Sequence, residues 1–151
     1  MHKQSARTAA PPRLLLIEDN RMGRLARKTV LDELGYRTTA VSTAQEALDC
    51  VSGDRFDLII TDYRLPGMSG ADFIQKIRKT QPAVPIIIIS GFVDSLGLTE
   101  KNTGADFVIQ KGSNEVILMV RAVRSLLRRA QVRKKPPASQ PGPPKARRKN
   151  A

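Results

Sequence analysis

Residues 58–70 read LIITDYRLPGMSG, an apolar run that ends in one aspartate and then in a loop of chain-breaking residues. The run LIIT favours a buried strand, whereas the proline and glycines that follow it favour turns. Asp62 lies where the strand gives way to the loop. A carboxylate there can start a turn, cap the next helix or belong to a site, and the choice depends on what the rest of the chain places beside it.

Short apolar runs alternate with helical patterns on both sides of this segment. The predicted strands are residues 14–17, 36–41, 57–61, 85–90 and 106–110. The predicted helices are residues 20–34, 44–51 with Thr43 as N-cap, 71–79, 91–103 and 114–130. The first helix has Met22, Leu25 and Leu31 among its apolar positions. In the fourth, Gly97 and weak periodicity argue against a regular helix.

Five βα units with nearly continuous apolar strands predict an α/β fold, in which helices cover both faces of a parallel sheet. Right-handed crossovers leave few topologies, and the flavodoxin-like, doubly wound order 2-1-3-4-5 is the common five-stranded solution. The second strand is less apolar than the others, which suits the edge of the sheet. This order makes strands 1 and 3 neighbours, and ligands are expected at the carboxyl ends of the strands.

Polar residues follow four of the five strands at that end of the sheet. They are Glu18 and Asp19 after strand 1, Asp62 after strand 3, Ser90 after strand 4, and Gln110 and Lys111 after strand 5. Clustered carboxylates repel one another by a few kcal/mol per pair at about 4–5 Å, so a cation should offset them. Lys111 supplies one charge, and Mg²⁺ suits a few carboxylates together with water and a phosphate.

Together these segments resemble the receiver domain of two-component response regulators. The matching pieces are LLLIEDN (14–20), LIITDYRLPGMSG (58–70), IIIISG (86–91) and GADFVIQK (104–111). They occur in the family's order, and the resemblance covers residues 13–130. The implied form is a stand-alone, single-domain receiver similar to the chemotaxis regulators.

The resemblance implies a phosphoacceptor and a metal site. Asp62 would accept a phosphoryl group from a phosphohistidine of a sensor histidine kinase or of a phosphotransfer protein in a phosphorelay. Glu18, Asp19 and Asp62 would hold the cofactor Mg²⁺, and the backbone carbonyl of Arg64 would complete the protein ligands. The output would pass through contacts with a downstream protein, which the sequence does not name.

The resemblance also assigns the two remaining site residues. Lys111 would pair with one phosphoryl oxygen, and Ser90 would hydrogen-bond another, while Gly91 leaves space for the group. Phe92, two residues after Ser90, is expected to shield the acyl phosphate from water. The chain would catalyse only its own slow phosphorylation and dephosphorylation, so we do not expect an enzyme in the usual sense.

Three positions depart from the family pattern. Gly112 follows the lysine where the family has a proline, which should leave Lys111 less firmly positioned. Leu65 replaces a methionine, a minor change. The aromatic switch residue normally lies three positions before the lysine, where this chain has Val108. Either a one-residue bulge restores Phe107, or the chain has no aromatic switch, since neighbouring strand residues point to opposite faces.

The charge of the chain is concentrated at one end. The formal net charge is +12, yet all 14 acidic residues fall between Glu18 and Glu115. From Arg133 onward there are seven Lys or Arg residues and no acid. We therefore expect a flexible N-terminus (1–12), a receiver domain (13–131) and a disordered, basic, Pro-rich tail (132–151).

This tail keeps other interpretations open. The chain could be a nucleic-acid or acidic-surface binding protein that works through its tail, with the receiver as a regulatory module or as a degenerate pseudo-receiver. It could also be one part of a larger regulator, with PPASQPGPP as a linker. A cytoplasmic location is expected, because there is no signal peptide, no run of about 18–20 apolar residues and only one cysteine, Cys50.

Overall fold

The computed structural model describes residues 10–134. Its strands are β1 (Arg13–Ile17), β2 (Arg37–Val41), β3 (Leu58–Thr61), β4 (Arg64–Leu65), β5 (Met68–Ser69), β6 (Ile86–Ser90) and β7 (Phe107–Gln110). Five of them form one parallel sheet in the order β2-β1-β3-β6-β7, and β4 and β5 form a small antiparallel pair after β3. The predicted doubly wound order and the edge position of the second strand are confirmed.

Six helices are described within residues 10–134: five lie between strands, and the sixth follows the last strand. They are α1 (Arg21–Glu33), α2 (Ala44–Gly53), α3 (Gly70–Thr80), α4 (Val93–Leu96), α5 (Glu100–Thr103) and α6 (Glu115–Lys134). Side chains of Asn20, Thr43 and Ser69 cap the first three by accepting a hydrogen bond from a backbone N–H of the first turn. The predicted cap at Thr43 is confirmed.

The segment predicted as a fourth helix is divided into two short turns. Gly97 ends α4 in a left-handed conformation, with φ of 63°. Thr99 then starts α5 and forms a capping box with Asn102. A residue with positive φ cannot continue a right-handed helix, so the doubt raised by Gly97 is confirmed.

Helices cover both faces of the sheet, so an apolar core layer lies on each face. On one face, alternate strand residues such as Leu15 and Ile59 pack with the buried sides of α2 and α3. On the other face, Leu14 and Ile60 pack with α1 and α6. Every residue of β3 and β6 is buried, as expected for central parallel strands.

The sequence predicted an apolar face on α1, and this prediction is wrong for the first two turns of the helix. Met22 and Leu25 are 73% and 58% exposed, and the two buried residues of this helix are Arg27 and Leu31. The face that packs against the sheet therefore includes an arginine, which has a consequence at the site.

The predicted ends of the chain fall largely outside the described residues. Helix α6 continues to Lys134, so the first three residues of the predicted tail are helical. At the other end, the Pro12 carbonyl accepts a hydrogen bond from the Arg37 backbone N–H at 2.9 Å. Disorder of the two termini stays a prediction. Within residues 10–134, no helix combines the length and apolar character that crossing a bilayer requires.

Candidate functional site

Three carboxylates meet at the carboxyl ends of β1 and β3. The parallel register pairs Ile17 with Thr61, so the residues that follow these two positions emerge side by side. Each of Glu18, Asp19 and Asp62 offers one carboxylate oxygen, and these oxygens lie within 4.8 Å of one another. The structure therefore brings together the three side chains that the sequence predicted as metal ligands.

Asp62 is held by hydrogen bonds to both of its carboxylate oxygens. Its Oδ2 accepts from Lys111 Nζ at 2.9 Å, and its Oδ1 accepts from the backbone N–H of Tyr63 at 2.6 Å. The residue is only 8% exposed. Asp62 is therefore a nearly buried carboxylate at a strand end that is fixed by an ammonium group, a geometry that suits a nucleophile.

Lys111 links two of the carboxylates. Its Nζ also lies 3.3 Å from Glu18 Oε1. Burial opposes the charge of this amine, but the hydrogen bond and negative charge of Asp62, together with Glu18, outweigh burial and raise the pKa of Lys111 above its ordinary 10.5. Lys111 is therefore protonated at the site. Its ammonium group is held by two carboxylates, even though the residue that follows Lys111 is glycine rather than the family's proline.

Ser90 lies on the neighbouring strand and is completely buried. Its hydroxyl accepts a hydrogen bond from the Phe92 backbone N–H at 3.1 Å, which shapes the loop after β6. The Ser90 carbonyl accepts from the Lys111 backbone N–H at 2.9 Å and so joins the ends of β6 and β7. A Cβ built on Gly91 would meet no atom within 4 Å, so this position borders open space.

Arg64 lies in the β4–β5 pair, two residues after Asp62. Its backbone N–H points to Asp62 Oδ1 at 3.4 Å. Its guanidinium carbon lies 4.0 Å from the centroid of the Phe92 ring. That its carbonyl faces a metal ion stays a prediction.

Sequence reasoning missed two charged residues, Arg27 and Glu115. Arg27 Nη1 donates to Glu18 Oε1 at 2.6 Å, while its Nε and Nη2 donate to Glu115 Oε2 at 3.1 and 2.6 Å. The available signal was the position of Arg27, four residues before Leu31 and so on the same helix face. Burial alone would raise the pKa of Glu18, but hydrogen bonds from the Asn20 N–H and Arg27, with the charge of Lys111, hold it below its ordinary 4.5.

The residues present fit a divalent cation. Among the three clustered carboxylates, Glu18 and Asp62 pair with cations, whereas the Asp19 carboxylate forms no ion pair within residues 10–134. A further cation close by, the Arg24 guanidinium, donates to the backbone carbonyls of Glu18 and Asp19 rather than to their carboxylates. The donors available for a metal are carboxylate oxygens, which are the ligands that Mg²⁺ prefers. The site can therefore hold Mg²⁺ through Glu18, Asp19 and Asp62.

Comparison with known proteins places this geometry in a family. The model of the response regulator receiver domain matches residues 14–123, which is most of the chain. This chain belongs to the response regulator receiver domain family. The two-component response regulator ORR42 of Oryza sativa subsp. japonica is 33% identical over 107 residues, covering 70% of this chain and 80% of that protein.

Other relatives are longer than this receiver. The C4-dicarboxylate transport transcriptional regulatory protein DctD of Rhizobium meliloti is 35% identical over 86 residues, or 57% of this chain and 19% of that protein. The transcriptional regulatory protein AfsQ1 of Streptomyces coelicolor is 32% identical over 121 residues, or 80% of this chain and 53% of that protein. The chain spans about half or less of the length of these two regulators.

Solved receiver domains share the fold. The response regulator TrrA of Thermotoga maritima, in complex with Mg²⁺ and BeF, has 28% identity and a TM-score of 0.68, covering 76% of this chain and 98% of that one. The receiver domain of a sensor histidine kinase from Pseudomonas aeruginosa PAO1, with a magnesium ion coordinated in its active site cleft, has 26% identity and a TM-score of 0.70. That match covers 78% of this chain and 98% of the other.

This receiver has no aromatic residue at the switch position. The pairing of β6 with β7 is regular through Ile87–Phe107 and Ile88–Val108, so no bulge shifts the register. Val108 packs with the core on the α2 and α3 side, whereas Phe107 packs on the α6 side, where the Arg129 guanidinium lies 5.9 Å from its ring centroid. Of the two alternatives left open by the sequence, the bulge is excluded.

Proposed function

We propose that this receiver accepts a phosphoryl group on Asp62 from the phosphohistidine of a sensor histidine kinase or of a phosphotransfer protein. It then signals through contacts with a downstream protein. The observation that carries this proposal is the nearly buried Asp62 carboxylate, 2.9 Å from the Lys111 ammonium and within 4.8 Å of two further acidic side chains. This arrangement supplies a nucleophile, a compensating positive charge and carboxylate oxygens of the kind that a divalent ion prefers.

The chemistry is a displacement at phosphorus. An Asp62 carboxylate oxygen forms a bond to phosphorus while the bond between phosphorus and the histidine nitrogen breaks, and that nitrogen keeps the electron pair. Lys111 offsets the negative charge on one phosphoryl oxygen, and Tyr63 N–H keeps the carboxylate oriented. Bound Mg²⁺ would supply further charge neutralisation at the three carboxylates. The product is an acyl phosphate on Asp62.

Ser90 can form a hydrogen bond with the phosphoryl group of that product. Its hydroxyl oxygen already accepts a hydrogen bond from the Phe92 N–H. Among residues 10–134 the hydroxyl donates no hydrogen bond, so its proton can be donated to a phosphoryl oxygen. Because the same hydroxyl holds the backbone after β6, a pull on it moves the loop that leads into α4. This loop is the route by which we propose phosphorylation changes the protein's surface.

The test is phosphorylation by a small phosphodonor with Mg²⁺, followed by intact-protein mass spectrometry. Wild type should gain one phosphoryl group, and Asp62→Ala should gain none. Asp72→Ala is the matched control, since it removes an exposed carboxylate from the first turn of α3 and should behave as wild type. Equal phosphorylation of Asp62→Ala and wild type would overturn the proposal, and a folded wild type that gains no group would indicate a pseudo-receiver.

A second function is supported by the charge of the C-terminal segment. We propose that the seven basic residues from Arg133 onward add salt-dependent affinity for nucleic acid or another acidic surface. Two relatives carry the name of transcriptional regulatory proteins, which is consistent with such a role. Removing residues 135–151 leaves α6 intact and takes away five of the seven basic residues, so it should weaken DNA binding, measured by fluorescence anisotropy at several salt concentrations. Unchanged DNA binding would overturn this role.

We also propose a cytoplasmic location. A receiver needs access to its phosphodonor, and the one cysteine, Cys50, is free in the structure. Cell fractionation tests this location, and recovery outside the cytoplasmic fraction would contradict it.

A further inference from the structure

We propose that Arg27 is a positioning residue that lowers the affinity of the acidic site for Mg²⁺, and that Glu115 limits this effect. Both residues lie beside the carboxylates, and neither belongs to the set predicted from the sequence. The inference rests on the proposed function, because it concerns a metal ion bound by Glu18, Asp19 and Asp62.

Arg27 is an arginine almost completely enclosed by protein. Its side chain is 7% exposed, and all three of its nitrogen atoms donate hydrogen bonds to carboxylates. One carboxylate belongs to the site, Glu18, and the other lies at the start of α6, Glu115. The guanidinium is therefore a fixed positive charge within hydrogen-bond distance of a proposed metal ligand.

Glu18 has no uncommitted oxygen in this arrangement. Its Oε1 accepts from Arg27 at 2.6 Å and lies 3.3 Å from Lys111 Nζ, while its Oε2 accepts from the Asn20 backbone N–H at 2.9 Å. The residue is 1% exposed. A divalent ion that binds Glu18 must share an oxygen with these donors or displace one of them. Since the guanidinium carries charge of the same sign as the ion, Arg27 and Mg²⁺ compete for this carboxylate.

Glu115 draws the guanidinium in the other direction. Its Oε2 accepts two of the three Arg27 hydrogen bonds, and its Oε1 accepts the Gly112 backbone N–H at 3.2 Å. It thus anchors Arg27 to the loop that follows Lys111 and offsets its charge. Without Glu115, Glu18 would be the main partner left to Arg27, and the competition with the metal would increase.

The experiment measures Mg²⁺ binding to the unphosphorylated, full-length protein by isothermal titration calorimetry. Arg27→Gln should bind Mg²⁺ about five- to tenfold more tightly than wild type, because one competing charge is gone. Glu115→Gln should bind Mg²⁺ more weakly, by about threefold or more. The double variant should resemble Arg27→Gln, since the effect proposed for Glu115 is exerted on Arg27 and glutamine can still accept the Gly112 N–H.

Lys28→Gln is the matched control. It removes the same charge one position along α1, where the ammonium pairs with Asp32 at 2.6 Å, outside the site. Its Mg²⁺ affinity should stay within about twofold of wild type. An equal gain in Lys28→Gln and Arg27→Gln would overturn the proposal, because it would reflect general charge rather than the contact with Glu18.

Removing one member of a buried charge network can unfold a protein, so circular dichroism accompanies each titration. If Arg27→Gln does not fold, Mg²⁺ binding is compared between wild type and the double variant with Glu115→Gln. The double variant removes both charges of the Arg27–Glu115 ion pair, so Glu115 is not left as an unpaired carboxylate. Unchanged or weaker Mg²⁺ binding in the folded variant overturns the inference and leaves Arg27 as a support for Glu18. If Mg²⁺ binding by wild type does not depend on Asp62, the proposed site itself fails.

Discussion

The guanidinium carbon of Arg64 lies 4.0 Å from the centroid of the Phe92 ring, so a cation–π contact joins the loop after Asp62 to the loop after Ser90. Phe92 is 39% exposed. The contact therefore ties together two loops that begin at the site, one after β3 and one after β6. It gives a structural basis for the expectation that Phe92 shields the acyl phosphate.

Truncation of this contact should shorten the lifetime of phosphorylated Asp62. A cation–π contact at an exposed site is worth about 0.5–1 kcal/mol, which corresponds to a roughly two- to fivefold faster hydrolysis in Phe92→Ala. Arg64→Ala should have a similar effect, and the double variant should be no faster than either. Loss of the phosphoryl group over time is followed by mass spectrometry, and identical decay in wild type and Phe92→Ala would contradict the shielding role.

Asp19 should affect stability and metal binding in opposite directions. Its side chain is exposed, and within residues 10–134 its carboxylate accepts no hydrogen bond and forms no ion pair, although it lies close to two other carboxylates. Asp19→Asn should raise the free energy of unfolding without Mg²⁺ by about 0.5–1 kcal/mol, because a repulsion is lost. Urea denaturation with and without Mg²⁺ measures this, and the stabilisation by Mg²⁺ should shrink in the variant.

The control for this experiment is Asp49→Asn. Asp49 is exposed on α2, and its carboxylate accepts a hydrogen bond from Gln45 that asparagine can preserve. Its unfolding free energy should stay near wild type under both conditions. A destabilised Asp19→Asn would show that Asp19 supports the fold in a way that repulsion does not describe.

Position 70 requires glycine because the backbone there lies too close to Tyr63 to leave space for a Cβ atom. A Cβ at this position would lie 2.6 Å from the Tyr63 carbonyl oxygen, which accepts a hydrogen bond from the Gly70 N–H at 2.7 Å. Gly70→Ala should therefore cost about 1–3 kcal/mol of stability and displace the backbone beside Asp62. Urea denaturation measures the cost, and slower phosphorylation should accompany it.

Gly53→Ala is the companion variant. A Cβ on Gly53, the last residue of α2, would meet no atom within 4 Å, so the substitution should be neutral or stabilising by about 0.4–1 kcal/mol. Equal effects of the two substitutions would show that helix propensity, rather than contact with Tyr63, explains the requirement at position 70.

The capping box of α2 predicts a dependence of stability on pH. Hydrogen bonds from Ser42, through its backbone N–H and its hydroxyl, and from the Thr43 N–H hold the pKa of Glu46 below its ordinary 4.5. Since the folded state favours the charged form, this stability is present above pH 4.5 and is lost as the pH falls through the lowered pKa.

Thermal unfolding of wild type and Glu46→Gln measures this effect. Near neutral pH wild type should be the more stable, and the difference should narrow well below pH 4.5. Glu33→Gln removes an exposed carboxylate at the end of α1 that makes no hydrogen bond among the described residues, and it should show no such narrowing. A constant difference for Glu46→Gln would refute the assignment.

Much of the fold follows from local patterns. The strands are apolar on both faces because helices cover both sides of the sheet, and each cap residue lies next to the helix that it starts. The meeting of Asp62 with Lys111, 49 residues away, follows from the strand order, since parallel strands end at the same edge. Apolar periodicity and turn residues were therefore enough to predict the strand order and the meeting of Asp62 with Lys111.

Arg27 could not be predicted in the same way. Helical periodicity treats a charged residue as exposed. Burial of the guanidinium becomes favourable only through its two carboxylate partners, Glu18 and Glu115, and the second of these lies 88 residues away. Met22 and Leu25 show the opposite error, because apolar spacing alone does not reveal which turns of α1 lie against other elements. The register of β7 could not be predicted for the same reason, because a bulge depends on how two strands pair and not on the sequence of one strand.

The division of the segment between β6 and β7 limits how far a movement of Ser90 can travel. A long helix behaves as a rigid rod, and displacement of one end reaches the other. Here α4 and α5 are single turns with Gly97 between them, so we expect backbone rotation within a few residues to absorb a pull from the Ser90 loop. If Asp62 is phosphorylated as proposed, we expect a partner to recognise the change beside the phosphoryl group itself, by contacting the loop after β6 directly.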